Sequence, residues 1–303
     1  MALQEQAIFA PDSPFSYYME WALADISRAR LQQHIRSLLT ALELSSPVHA
    51  LVAFGERTWN LLSDHQTIDG LQSFRSTGMS SSRFAPSTQR DVMIWLHGAR
   101  HDENFRAALA INAILKGDAE LRLELTGFRN FDNRDLNGFI VGAANPPVED
   151  IAEIALIASP ASGAGGSFVI TQKWQYDLDA FKRLPIAEQE RVMGRHKVDG
   201  RELDSGAMPL DAHAMRAERD RNGSLKIYHR SVPYGTVDES GLYFMAFSAQ
   251  QSRFNVLLDR MYGQGAGQGA GREPSDRFLD YSKPTTGSFW FAPSLAHLLQ
   301  VVD

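Results

Sequence analysis

Cysteine is absent from all 303 residues. That removes disulfides, thiolate nucleophiles, structural zinc of the cysteine type, iron–sulfur clusters and a cysteine-ligated haem together. Histidine, aspartate and glutamate are left as ligands. Positive charge is also scarce: the net charge is -6, the pI is near 5.9 and no basic block occurs. No nucleic-acid and no anionic-membrane partner is expected, because either would require clustered lysine and arginine. No apolar run approaches the length of a bilayer span, and the start Met1-Ala2-Leu3-Gln4-Glu5-Gln6 has neither a positive region nor a twin arginine; the cytoplasm is the expected compartment. What is present, 44% apolar and 22% charged residues, is the balance of a globular protein with core for one large or two ordinary domains.

Hydrophobic periodicity gives the organisation. Residues 16–24 read as a strand, after which Asp25 caps a helix carrying Ile26, Ala29, Ile35, Leu38, Leu39 and Leu42. Strands follow at 48–54 and 91–96, separated by a Ser-rich loop, then a helix over 104–115 stopped by Lys116-Gly117, then an alternating strand at Leu121, Leu123 and Leu125. The order β-α-β-β-α-β is the split βαβ, or ferredoxin-like, unit. The second half repeats it: strand 166–174, helix 178–193, strands 226–231 and 241–247, helix 250–262 and strand 287–291. The expectation is therefore an α+β protein with two ferredoxin-like domains and antiparallel sheets, residues 1–150 and 151–303, the boundary lying among the turn formers of 146–160.

Two irregular stretches remain. Glycine alternates from Gly263 to Gly271, but this run follows a helix instead of a first strand, so it reads as a surface linker and not as a dinucleotide loop. Between the second-half helix and its next strand lies a long insertion carrying Asp211-Ala212-His213. Insertions of that length in compact domains are usually functional.

Taken together, Val52-Ala53-Phe54-Gly55 with Thr58-Trp59, Ala85-Pro86-Ser87-Thr88-Gln89, Arg100-His101-Asp102, Gly127-Phe128-Arg129 and Gly138-Phe139-Ile140 with Gly142 and Asn145-Pro146 resemble the dye-decolourising peroxidase family, of the bacterial cytosolic B/P type. Gly165-Gly166-Ser167, Gly194-Arg195 with Lys197, the His213 region, Pro233-Tyr234-Gly235 and the stretch 287–293 carry the resemblance to the end of the chain. It implies haem b, held mainly by the second domain, and oxidation of dyes or phenols by hydrogen peroxide in a homo-oligomer. His213 would be the proximal iron ligand, Asp276 the acceptor for its other ring nitrogen, and Arg195 the partner of a haem propionate. Ile140, Gly142 and Ala143 would touch the cofactor.

On the distal side the sequence departs from the family. Members carry an aspartate in Gly-x-x-Asp-Gly, followed by Thr-Glu-Asn-Pro; here Val141 takes the place of the aspartate, and Ala143 and Ala144 the places of threonine and glutamate. Counting back from Pro233-Tyr234-Gly235 puts His229 on the distal arginine, with Arg230 one place further on unless a bulge restores it. Ser231 and Phe244 complete the expected distal set. Peroxide cleavage needs a base and a donor, and valine is neither. The substitutions leave open a repurposed paralogue, a laboratory-evolved variant whose pocket admits bulky carbene or nitrene precursors, a haem-binding or haem-handling protein that is not an enzyme, and a haem-free ferredoxin-like dimer.

Overall fold

In the structure, a computed structural model, residues 3–11, 13–80, 83–218, 226–264 and 273–303 are described. After a short helix α1 (Glu5–Phe9), the first half runs β1 (Phe15–Leu23), α2 (Arg28–Glu43), β2 (His49–Phe54), α3 (Glu56–Leu62), a hairpin of β3 (Thr77–Ser80) and β4 (Arg83–Ala85), β5 (Val92–Gly98), α4 (His101–Leu115) and β6 (Ala119–Phe128). The second half runs α5 (Ile151–Ala155), β7 (Ser167–Tyr176), α6 (Leu178–Lys182), α7 (Ile186–Met193), β8 (Tyr228–His229), β9 (Val232–Gly235), β10 (Ser240–Ser248), α8 (Ser252–Met261), β11 (Ser282–Pro284), β12 (Ser288–Ala292) and α9 (Leu295–Val302).

Strand order β2-β5-β1-β6 in one half matches β9-β10-β7-β12 in the other, both antiparallel. Each is a ferredoxin-like sheet, and the two meet at both edges, where Phe291 pairs with Phe54 and Gly127 with Tyr234. The result is a closed barrel whose two seams are each joined at that one pair. Side chains alternate across it. Tyr18, Trp95, Val169, Tyr243, Phe247 and Trp290 fill the inside, while Tyr17, Ile94 and Phe168 belong to the cluster that α2, α4 and α8 cover. Inside the barrel the two halves are tied by Glu20, whose Oε1 accepts from Thr171 Oγ1 (3.0 Å) and Tyr243 OH (2.7 Å).

Several local expectations change. The cap of α2 is Ser27, not Asp25, because the serine oxygen accepts from Arg30 N; Ala29 is exposed. The second-half helix is broken into α6 and α7, since Pro185 has no N–H to continue the ladder and instead opens the second piece. Helix α4 starts three residues early at His101, with Asp102 and Glu103 in its first turn, where acidic side chains favour the helix dipole. The strand expected over 226–231 is reduced to β8, and β9 takes up the pairing with β10 after it. Most of the glycine run, residues 265–271, lies outside the described residues.

Candidate active site

The strands set the site by their phase. Along β7 the residues Gln172, Trp174 and Tyr176 face outward, and along β10 so do Leu242 and Phe244. Leu257 and Met261 of α8, Met193 of α7, and the segment 135–144 close over them, leaving an apolar cavity. Gly194 ends α7 in the left-handed conformation (φ 74°), a geometry in which a Cβ would be strained. That turn sends the chain into the insertion, and His213 enters the cavity wall just before one π-helical stretch, Ala214–Glu218.

His213 Nδ1 lies 2.6 Å from Oδ2 of Asp276, which is wholly buried. The other carboxylate oxygen accepts from Phe278 N at 2.8 Å and so caps the 3₁₀ turn Arg277–Asp280. Asp276 is thus fixed at both oxygens, and it fixes the imidazole in turn. Burial would push His213 down, but the Asp276 charge and hydrogen bond more than reverse this and raise it to about 9. Nε2 has no hydrogen-bond partner among the described residues. Phe278 packs edge-on against the ring with centroids 5.7 Å apart.

Val141, His229, Ser231 and Phe244 line the same cavity as His213. Burial pushes His229 down to about 4, with His213 adding to the effect against Glu218, so its ring is neutral at pH 7. Its edge meets Phe244, with centroids 5.5 Å apart. Ser231 Oγ is occupied by the backbone of Met245, donating to its carbonyl (3.3 Å) and accepting from its N–H (3.2 Å). Ile140 and Gly142 line the same cavity.

Three expected residues sit differently. Arg230 does not line this cavity: with His229 and Ser231 turned toward it, the intervening side chain points the other way. There its guanidinium donates to Ala10 O (3.0 Å) and Tyr228 OH (3.2 Å) and stacks 5.2 Å over Trp95. No bulge brings it back. Ala143 is exposed, and it is Ala144 that reaches the cavity, because Gly142 (φ 70°) turns the chain between them. Arg195 does line the cavity, but its guanidinium is already engaged by Glu218 (2.6 Å), the Gly200 carbonyl (2.8 Å) and Glu202 (3.5 Å).

Glu218, Gln172, Asn145, Asp135 and Tyr176 were not legible as site residues. Asn145 carried a signal in the Asn145-Pro146 of the resemblance, and Asp135 in standing among the turn formers Asn133, Asn137 and Gly138 just ahead of the Val141 stretch.

A single imidazole backed by a buried carboxylate, at the wall of an apolar cavity, is the arrangement of a protein that carries a metal inside an organic cofactor. Among the described residues no group of three or more His, Asp or Glu could hold a bare metal ion. The chain belongs to the dye-decolourising peroxidase family: the model of the Dyp-type peroxidase N-terminal domain matches residues 5–129 and that of the C-terminal domain residues 132–297. It is 32% identical to a dye-decolorizing peroxidase of Mycobacterium tuberculosis, over 98% of this chain and 90% of that protein. Among solved structures it is similar to a dye-decolorizing protein from V. cholerae (33% identity, TM-score 0.86, 97% and 98% of the two chains covered). It is also similar to a variant of Rhodococcus jostii RHA1 DypB in complex with haem (30% identity, TM-score 0.89, 100% and 99% covered).

Proposed function

We propose that this chain is a haem b peroxidase that oxidises small aromatic molecules, dyes and phenols among them, with hydrogen peroxide as oxidant. On its distal side Val141 and His229 replace the usual acid and guanidinium. The observation that carries the reading is His213, whose Nδ1 is held by Asp276 while Nε2, in an apolar cavity, has no partner among the described residues. One imidazole suits a metal that arrives with in-plane ligands of its own, and the wall of Phe139, Ile140, Leu242, Phe244, Leu257 and Met261 suits the face of a porphyrin.

Bound haem supplies the iron at which peroxide is cleaved and to which the substrate gives its electrons. His213 would hold it through Nε2. Asp276 keeps the Nδ1–H tautomer and strengthens the imidazole as a donor. Arg195 gives Nε to Glu218, one Nη1 hydrogen to Gly200 O and one Nη2 hydrogen to Glu202, so one N–H on each terminal nitrogen is left for a propionate. On the opposite face Val141 can neither take nor give a proton, and a ring nitrogen of neutral His229 is the remaining acceptor there. General acid–base help is worth roughly 10²–10⁴-fold, so peroxide turnover is slower than in relatives that keep the carboxylate. The same apolar wall admits bulkier carbene or nitrene precursors.

The apolar Val141, Gly142 and Ala144 wall also favours a second reading, a haem-binding or haem-handling protein without turnover. Haem titration followed at the Soret band, then peroxide with a phenolic substrate, tests both. A Soret complex that oxidises the phenol supports the peroxidase; a complex inert to peroxide supports the second reading; no complex overturns both.

A further inference from the structure

The end of α8 holds both members of the His213–Asp276 pair. Asp276 N donates to Met261 O (2.8 Å), the last residue of that helix, and Arg277 N donates to Asp211 O (2.8 Å), two residues ahead of His213. One residue back in α8, Arg260 donates through Nη2 to Met215 O (2.6 Å), in the π-helical stretch that follows His213, and Arg216 in that stretch donates through Nε to Arg260 O (3.0 Å). Arg216 also reaches the segment that leads to Asp276. Its Nη1 lies 2.6 Å from Oε2 of Glu273, three residues before the aspartate. The arginine is 5% exposed, whereas the Glu273 side chain is 53% exposed. Its Nη2 is buried with no partner among the described residues.

We propose that Arg216 is a positioning residue: with Glu273 it clamps the segments of His213 and Asp276 to the end of α8, and so fixes the hydrogen bond that makes the imidazole a strong donor to iron. The inference rests on the haem-binding part of the function proposed above. Packing does not account for the guanidinium. Its charge leaves water for one ion pair with a half-exposed carboxylate, and one terminal nitrogen stays unsatisfied, so an apolar side chain of similar length would fill the space without that penalty. Its contacts do account for it. A cation against the carbonyl end of α8 complements the helix dipole, and the planar fork holds two partners at fixed angles, here the helix end and Glu273. Without Arg216 the two segments keep their backbone bonds and the Arg260 contact, but nothing from the side-chain layer ties the approach to Asp276 to the stretch after His213. The 2.6 Å contact between the two then loosens, and the imidazole gives less electron density to the metal.

The test is resonance Raman spectroscopy of the haem-loaded ferrous protein, whose iron–histidine stretch reads the donor strength of the imidazole, together with the rate of haem transfer to apomyoglobin. Arg216→Met and Glu273→Ala should each lower the stretch and speed haem loss by roughly tenfold or more, the scale on which groups behind a metal ligand act. The double variant should be little worse than Arg216→Met, because both changes remove one contact. Glu273→Gln, whose amide oxygen can still accept from Arg216, should recover most of the stretch. A role in stability alone would lower the melting temperature and leave the stretch in place. Glu273 is half exposed, so its variants decide the matter if Arg216→Met fails to fold: a stretch that does not move in Glu273→Ala overturns the clamp alone. A parent without an iron–histidine stretch, or one that keeps it in His213→Ala, overturns the assignment of His213 to the iron and the clamp with it.

Discussion

The side-chain amide of Asn145 grips the backbone of His229 at both ends: its Oδ1 accepts from His229 N at 2.7 Å and its Nδ2 donates to His229 O at 3.1 Å. Asn145 belongs to the segment that carries Val141, and His229 to β8, so this pair of bonds sets the two sides of the distal wall against each other. It also fixes the strand's phase at His229. With that residue facing the cavity, Arg230 faces Trp95.

The missing carboxylate gives the clearest prediction. Val141→Asp should raise the second-order rate of peroxide activation by roughly 10²-fold or more, the scale of a restored acid–base group. His229→Arg should raise it further, and the double variant should be non-additive because both groups would act on one bound peroxide. Stopped-flow mixing at the Soret band reads both. A parent rate already equal to that of Val141→Asp would show that the distal wall is not limiting.

The part played by His229 can be separated by pH. Its folded pKa, lowered by burial to about 4, means that the ring is free to accept a proton above that value and already carries one below it. The rate of peroxide activation should hold from neutral pH down to about 5 and then fall as pH passes through about 4. His229→Leu should remove that step from the profile and lower the plateau.

For the proximal side, His213→Ala should abolish or scramble the Soret spectrum. An unchanged spectrum would remove His213 from the iron. Asp276→Asn should keep haem but raise its reduction potential, since a neutral acceptor leaves the imidazole a weaker donor. Spectroelectrochemistry of the two proteins side by side measures the shift, and equal potentials would mean that the 2.6 Å contact does not tune the metal.

The burial of Asp135 should show itself in stability. Burial raises its pKa from the usual 3.8 to about 6, so the folded chain holds the proton more tightly than the unfolded one. That contribution is complete below pH 3.8 and lost by about pH 6. At about 1.4 kcal/mol per pH unit it amounts to about 3 kcal/mol. Urea unfolding at pH 3 and pH 7 should show the parent losing this much more stability than Asp135→Asn over the interval; equal losses would place the titration elsewhere.

Much of this protein was determined by local pattern. The alternation in β6, the helical spacing of Ile35, Leu38, Leu39 and Leu42, and the glycine after Met193 are patterns within a few residues of one another, and such signals survive in a linear string. His213 was found from the length of its insertion and the resemblance around it. The tertiary structure decided what no local pattern holds. Asp276 lies 63 residues from His213 and Tyr176 41 residues from Asp135, and only the packing of α8 and β7 brings each pair within a hydrogen bond. Whether His229 or Arg230 would face the cavity could not be counted from Pro233 alone. One residue of slip turns every side chain of a strand to its other face, and the register is set by pairing with β10, where His229 lies opposite Ala246, and by the Asn145 clamp.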